Sequence, residues 1–338
     1  MTKTVVCFGE LLLRLGAPGR EFLLQSPRLD VHFGGAEANV AVSLARLGHK
    51  VAMASIVPDN ALGHACTGEL RRHGVDTAAV LTGPGRMGLY FLVSGAIHRP
   101  GEVLYDRAHS AFALAAADAM DWDLALADAD HLHLSGVTPA LGPVPAQAAL
   151  RAAKAARARG LRVSFDSNYR SKLWEAWDSD PAAILAGLID CADIVFADHR
   201  DIEVVLGRRF ESAPAEQLPV LAAQAALEAF PRLERIATTQ RVQRNVDHHE
   251  LAAVMVTRKG VTTAPAQGIA PIVDRIGAGD AFAAGILHGL RTGMGDDDTL
   301  RFGLAAACLK HSIPGDFNLA AAADVAALVA ERGFDVRR

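Results

Sequence analysis

Cysteine is scarce in this 338-residue chain, and the four present, Cys7, Cys66, Cys191 and Cys308, lie far apart with no Cys-x-x-Cys pair among them. That spacing argues against a disulfide framework and a thiolate zinc site, and predicts buried thiols. No apolar run reaches the ~18 residues of a membrane span, and the N-terminus passes directly into the strand-like Val5-Val6-Cys7-Phe8-Gly9 instead of a signal peptide. The expectation is a cytoplasmic protein with no membrane partner. Charge of one sign is missing too: 34 Lys and Arg stand against 38 Asp and Glu, a net of −4, with the basic residues scattered. No basic stripe is offered to a nucleic acid. Internal repeats, low-complexity tracts and long linkers are absent. So is Gly-x-Gly-x-x-Gly after the first strand, where Cys7-Phe8-Gly9-Glu10-Leu11 stands, and a dinucleotide-dependent oxidoreductase is left without its fingerprint.

What is present is apolar and periodic. The 51% hydrophobic content suffices for a large core, and the length suits one large α/β unit with a small attachment. Strand-length runs (Val51–Val57, His131–Ser135, Leu161–Phe165, Ile194–Ala197) alternate with alanine-rich stretches of helical period (Ala61–His73, Pro145–Arg159, Pro181–Cys191, about Arg200–Leu206), which is the pattern of βαβ units and a parallel sheet. A hairpin is predicted around Lys259-Gly260, followed by helices near 279–292, 297–312 and 319–332, the last with Asn318 as N-cap. Residues 12–33 and 86–107 break the rhythm with short alternating segments and Gly/Pro turns. They predict a small antiparallel sheet inserted into the body. Asp247-His248-His249-Glu250 reads as a solvated loop, not a metal site, because adjacent side chains seldom converge on one ion.

The most informative stretch is Val273-Asp274-Arg275-Ile276-Gly277-Ala278-Gly279-Asp280-Ala281-Phe282. Gly277 and Gly279 lack Cβ atoms, so the backbone can turn tightly and expose the N–H groups around Ala278 and Asp280. A helix beginning there aims free amides and its positive dipole end at an anion. Charge moving onto a transferred phosphoryl group would be stabilised in such a loop. Asp280 is placed to take a proton from an attacking hydroxyl, which makes it the candidate base. Alone, the motif reads equally as a turn with an acidic residue in a first helical turn, worth ~0.3–1 kcal/mol. A second glycine-rich helix start far upstream, Phe33-Gly34-Gly35-Ala36-Glu37-Ala38-Asn39 with Gly48 as C-cap, shifts the balance.

These two segments, in this order, resemble the two signatures of the ribokinase-like (PfkB) sugar kinases. The resemblance runs from Phe8-Gly9-Glu10 to Ile313-Pro314-Gly315-Asp316-Phe317-Asn318. Four segments narrow it to the 2-keto-3-deoxygluconate kinases: Gly34–Asn39, Tyr105-Asp106-Arg107-Ala108, Phe165-Asp166-Ser167-Asn168-Tyr169-Arg170 with Leu173-Trp174, and Leu309–Asn318. The resemblance implies one ribokinase-like domain over 1–338, a three-layer α/β/α body with a mostly parallel central sheet and an antiparallel β lid formed by 12–33 and 86–107. It implies ATP and Mg²⁺, a sugar acid as acceptor, phosphorylation of its terminal hydroxyl, and a homo-oligomer formed through the lid. Fructose, another deoxy-keto acid or a nucleoside as acceptor, and a sugar-binding regulator without turnover, remain the alternatives.

By the same resemblance Gly277, Ala278, Gly279 and Asp280 carry catalysis. Gly34, Gly35, Asn39, Tyr90, Tyr105, Arg107, Asn168, Arg170 and Asp316 meet the sugar. A planar guanidinium grips a carboxylate with two hydrogen bonds and gains nothing comparable from a neutral sugar, which singles out Arg107 and above all Arg170. Thr239, Lys259, Gly260, Gly277, Gly279, His311 and Asn318 are expected at the nucleotide. Two departures stand out. Asp198-His199-Arg200-Asp201 replaces the family's Asn-x-x-Glu, leaving Asp198 and Asp201 as candidate ligands of a hydrated Mg²⁺, and Arg275-Ile276 replaces the small hydroxyl-bearing residues usual before the glycines.

Overall fold

The computed structural model describes residues 3–210 and 213–330. In chain order its strands are β1 (Thr4–Phe8), β2 (Leu12–Gly16), β3 (Asp30–Gly34), β4 (Val51–Pro58), β5 (Val80–Gly83), β6 (Gly88–Val93), β7 (Glu102–Asp106), β8 (Ala129–Ser135), β9 (Arg162–Asp166), β10 (Ile194–Phe196), β11 (Arg235–Asn245), β12 (His248–Thr257) and β13 (Gly260–Ile269). The main sheet runs β13-β12-β11-β10-β9-β8-β1-β4-β5. It is parallel from β5 to β11, where helices carry the chain back across a face, and antiparallel across β11, β12 and β13, which short turns join.

Alternation along the strands feeds two cores. Val5 and Cys7 face one with Leu44, Leu70, Phe282, Leu287 and Phe302; Val6 and Phe8 face the other with Leu134, Phe165, Leu185, Ile202 and Leu227. The first lies under the helices Ala36–Arg46, Ala61–Arg72, Ala278–Thr292, Asp296–Lys310 and Ala322–Val329; the second lies under Pro143–Ala158, Pro181–Asp190, His199–Leu206 and Leu218–Ala229. This is the expected three-layer body. The cysteines are free, Cys7, Cys66 and Cys191 being buried. Among the described residues no helix is long and apolar enough to cross a membrane.

The interrupting segments form a second sheet, β3-β2-β6-β7, whose outer pairs are antiparallel and whose central pair, β2 with β6, is parallel. Register sorts its faces. His32, Arg14, Tyr90 and Tyr105 stand in one row across the four strands, and Val31, Leu15, Phe91 and Leu104 in the next. Successive residues of a strand point to opposite faces, so the polar row faces inward and the apolar row outward. Val31 is 57% and Leu104 55% exposed.

Two local expectations fail. The last helix starts at Ala322, not at 319, because the Asn318 side chain accepts from Ala320 N and holds the chain in a turn short of the helix; residues 331–332 of the expected helix lie outside the described residues. His249 is not in a solvated loop: it belongs to β12 and is 1% exposed, since strand alternation turns it inward while His248 and Glu250 face out.

The helices Ala278–Thr292 and Asp296–Lys310 pack closely through Gly285, where an added Cβ would press on the Gly303 backbone and Ala306. Gly285→Val is expected to lower unfolding stability by about 1–3 kcal/mol through overpacking, read from urea denaturation.

Candidate active site

Both glycine-rich helix starts sit beyond the C-terminal ends of the parallel strands, the usual binding edge of such a sheet. Gly277 is the N-cap of Ala278–Thr292 in the left-handed conformation, φ 80°. Only glycine fits there, since a Cβ would strike the Asp316 carbonyl. Beside Gly279 the protein leaves open space, and the amides of Gly279 and Asp280 have no intrahelical carbonyl to bond. The loop therefore presents bare donors to a gap.

Asp280 follows in the first turn, 9% exposed. Its Oδ2 accepts from Asn39 Nδ2 at 2.7 Å, across 241 residues of chain. Burial pushes its pKa up to about 7; the Asn39 hydrogen bond and Arg170 oppose the rise, and Glu37 and Asp316 add to it. A carboxylate poised near neutrality in reach of a cleft suits a general base. The Asn39 amide, expected to meet a sugar hydroxyl, donates here to this carboxylate.

The upstream start is fixed from below. Glu37 accepts from Ser135 N (3.0 Å), Ser135 Oγ (2.8 Å) and Thr138 Oγ1 (2.9 Å), which fastens the first turn of the helix to the end of β8. Gly35, the N-cap, has φ 137°, and a Cβ on Gly34 would strike the Asp316 carboxylate. The two turns thus come together through the absence of side chains.

The inner row of the lid closes on the same place. Tyr90 donates to Asp316 Oδ2 at 2.5 Å. Arg14, 4% exposed, pairs with Asp274 Oδ2 at 2.6 Å and with Asp316 Oδ1 at 3.0 Å. Asp274 also accepts from Ile276 N and Gly315 N, so one carboxylate ties the anion loop to the 313–316 turn and to the lid. Tyr105 lies beside Tyr90, ring centroids 6.5 Å apart. Arg107 is buried and held by Glu10 through Nε (2.6 Å) and a terminal nitrogen (2.5 Å), which removes it as a free grip for a ligand carboxylate.

Across the cleft, Asn168 takes a left-handed φ of 39° at the end of β9, tolerable for asparagine. Arg170 is exposed, its nearest acceptor the Tyr169 carbonyl at 3.5 Å, and its charge is felt at Asp166, Asp201 and Asp280. Asp198 caps the helix His199–Leu206, accepting from Arg200 N and Asp201 N, and is paired with Arg200. Asp201 completes the capping box by accepting from Asp198 N. Burial, then the Asp198 charge, pushes Asp201 up to about 6. Asp166 is raised well above the carboxylate range by burial, then by Asp280 and Asp201.

Of the residues expected at the nucleotide, Gly277 and Gly279 form the loop, and Thr239 lies in β11 beyond Ala237, the partner of Phe196 in β10. His311 is buried just behind the loop, its carbonyl accepting from Val273 N and Asp274 N. Asn318, 1% exposed, turns its amide oxygen to Ala320 N. Lys259 and Gly260 are elsewhere. Gly260 pairs with Thr257, which pairs with Arg235 at the N-terminal end of β11, so this turn stands at the opposite edge of the sheet from Asp280. A lysine-glycine turn carries no signal for which edge it occupies; register decides it.

Arg14, Glu10, Glu37, Asp166 and Asp274 are site residues that the sequence reading passed over, whereas Lys310, expected near the adenine, lies behind the anion loop, its Cε 3.5 Å from where a Gly277 Cβ would stand. A signal existed for Arg14, one arginine inside the apolar run Leu11–Leu15, but Glu37 and Asp274 looked like ordinary polar neighbours of glycines.

The fold and this site together define an α/β phosphotransferase. A profile of the pfkB family carbohydrate kinases matches residues 2–318, and the chain belongs to that family; it is a sugar kinase that takes ATP and a sugar. Among curated relatives, the 2-dehydro-3-deoxygalactonokinase of Haloferax volcanii is 33% identical over 316 residues, 94% of this chain and 93% of that protein. The 2-dehydro-3-deoxygluconokinase of Bacillus subtilis is 26% identical over 329 residues, 94% and 92% of the two chains. The crystal structure of the Thermotoga maritima 2-dehydro-3-deoxygluconokinase superposes with a TM-score of 0.91 at 35% identity, covering 97% of this chain and 99% of that one.

The raised Asp280 fixes the sign of two pH effects. A general base works ionised, so with Asp280 in that role kcat/KM is expected to rise with pH and level off above about 7. Its ionisation opposes folding: the native group holds a proton that the unfolded one, near 3.8, has lost, so stability falls from about pH 4 to 7 and is then flat. Asp280→Asn removes that loss. Its melting temperature is expected to exceed the wild type's by more at pH 8 than at pH 5 in calorimetric scans, while kcat drops about 10²–10⁴-fold.

Proposed function

We propose that the chain moves the γ-phosphoryl group of ATP to the terminal (6-) hydroxyl of 2-keto-3-deoxygluconate. Asp280 takes the hydroxyl proton, the freed oxygen attacks the γ-phosphorus, and the bond from that phosphorus to the β–γ bridging oxygen breaks. ADP leaves and the sugar acid carries a 6-phosphate. The Gly279 and Asp280 amides face the charge that develops on the transferred group. The inner lid row covers the cleft against water, which Asp280 would otherwise activate.

The observation that carries the sugar-acid reading is the contrast between two arginines. Arg107 is satisfied inside the protein by Glu10, whereas Arg170 has no carboxylate partner at hydrogen-bond distance among the described residues and stands across the cleft from Asp280. A bidentate guanidinium of that kind matches a substrate carboxylate. The names of the relatives support a 2-keto-3-deoxy acid and divide over its epimer: the Haloferax protein is named for the galacto form, the Bacillus and Thermotoga proteins for the gluco form. The galacto acid is therefore the second reading.

Asp166 and Asp201 fit a hydrated Mg²⁺: both are oxygen donors whose crowded negative charge a cation would relieve. Asp198 fits less well, its oxygens being taken by helix amides and Arg200. Among the described residues no three His, Cys, Asp or Glu side chains gather as a metal site, in keeping with an ion that shares its coordination with nucleotide phosphates. When bound, Mg²⁺ supplies charge neutralisation at those phosphates.

In a coupled ATPase assay over 2-keto-3-deoxygluconate, its galacto epimer, fructose and ribose, the acids are expected to be preferred. Arg170→Gln is expected to lower kcat/KM for the acids by about 10–100-fold and leave fructose unaffected. A wild-type preference for a neutral sugar overturns the reading.

The outward apolar row of the lid, Val31, Leu15, Phe91 and Leu104, supports a dimer in which two lids cover each other. Leu104→Glu is expected to sediment as a monomer where the wild type sediments as a dimer; a monomeric wild type sinks this assignment.

A further inference from the structure

Lys310, the last residue of Asp296–Lys310, is 0% exposed. Burying an ammonium costs far more than burying a methionine of like volume unless its charge is met, and nothing in the reaction above uses this one. Its place is specific. Nζ donates to the Ile313 carbonyl at 2.8 Å, and Cε lies 3.5 Å from where a Gly277 Cβ would stand. The amine therefore sits directly behind the anion loop, in the turn that the loop rests on: Val273 N and Asp274 N bond the His311 carbonyl, Gly315 N bonds Asp274, and the Asp316 carbonyl packs against Gly277.

The charges in that turn explain a need. Asp274 and Asp316 are both carboxylates, at 11% and 2% side-chain exposure, directly behind a loop that must accept a polyphosphate. Arg14 balances one of them. Without a second cation the support of the anion loop would carry net negative charge and repel its ligand, at short range and with little screening. We propose that Lys310 is a positioning residue, a fixed internal counter-cation that neutralises the Asp274–Asp316 pair and braces Gly277 so that the loop can take nucleotide phosphate. It touches neither substrate. The inference rests on the chain using ATP as proposed, and its test keeps the two apart.

The probes are Mg-ATP and adenosine, titrated calorimetrically into wild type, Lys310→Met and Lys310→Arg. Lys310→Met is expected to weaken ATP by roughly tenfold or more and adenosine hardly at all, with Lys310→Arg retaining most ATP affinity because it restores the charge. Loss of ATP and adenosine affinity together, or an arginine variant as impaired as the methionine one, overturns the proposal. So does a methionine variant with wild-type ATP affinity.

Should Lys310→Met fail to fold, the wild type answers. Burial lowers Lys310 to about 8, Asp274 and Asp316 partly offsetting it. Of the groups facing it besides Asp274 and Asp316, Arg14 is raised, Tyr90 is raised well above 10, and His32 and His311 are lowered, so none of these four changes charge between pH 8 and 9.5, and Asp280, at about 7, is nearly fully ionised by the start of that range. ATP affinity is expected to fall over that range as the amine loses its proton, with adenosine affinity flat; an ATP affinity that does not change overturns the proposal. Failure of the underlying reading looks different: the wild type would then bind no Mg-ATP at any pH.

Discussion

Two helix-opening turns far apart in the chain meet at one hydrogen bond between residues 241 apart, Asn39 to Asp280, 2.7 Å long and buried. The chemistry proposed for the molecule is arranged around it. Asp280 must be desolvated enough to hold a proton near neutral pH, yet stand in a cleft with an anion loop beside it. A lone buried carboxylate would be free to turn away or stay protonated. The asparagine fixes its orientation and draws its pKa back down against the effect of burial. Asn39 is in turn fixed because its helix is fastened by Glu37 to the end of β8, so the base is positioned through the sheet and not by local chain geometry.

The same logic extends to the lid. A sheet inserted into an α/β body could hang loosely, but Arg14 and Tyr90 reach from its inner row into the turn that supports the anion loop. Sugar cover and phosphate loop thus share two carboxylates, Asp274 and Asp316. Movement of the lid would therefore strain the loop, a coupling that follows from buried ion pairs being costly to break one partner at a time. Arg107 serves the same docking by pairing with Glu10 beyond β1.

Much of this was legible in the sequence because it depends on period and on glycine. The alternation of β and α runs predicts the three-layer body, and Gly277 and Gly34–Gly35 predict two close backbone approaches, since glycine there serves one physical purpose. What escaped was long-range pairing. Nothing local marks Arg107 as bound to Glu10, or Asn39 as the hydrogen-bond partner of Asp280. The Lys259–Gly260 hairpin was visible as a turn, yet the edge it occupies depends on β11–β12 register, which spacing alone does not reveal. Asp198 and Asp201 show the same ambiguity: at three-residue spacing before an apolar helix, a capping box and a pair of ion ligands look alike, and the geometry shows the box.

The site also runs against the stability of the fold. Glu37, Asp166, Asp201, Asp280 and Asp316 are all raised, burial the first cause in each, so their ionisation opposes folding wherever it occurs near neutral pH. A chain that gathers so many acids at one edge of its sheet must find stability elsewhere. It does so in the alanine-lined packing of Pro143–Ala158 against β8 and β9, and in the glycine-mediated contact of Ala278–Thr292 with Asp296–Lys310. That second contact lies immediately behind the base. The helix that carries Asp280 at the cleft is therefore anchored behind it by apolar packing, and its charged first turn is the part set to answer to a ligand.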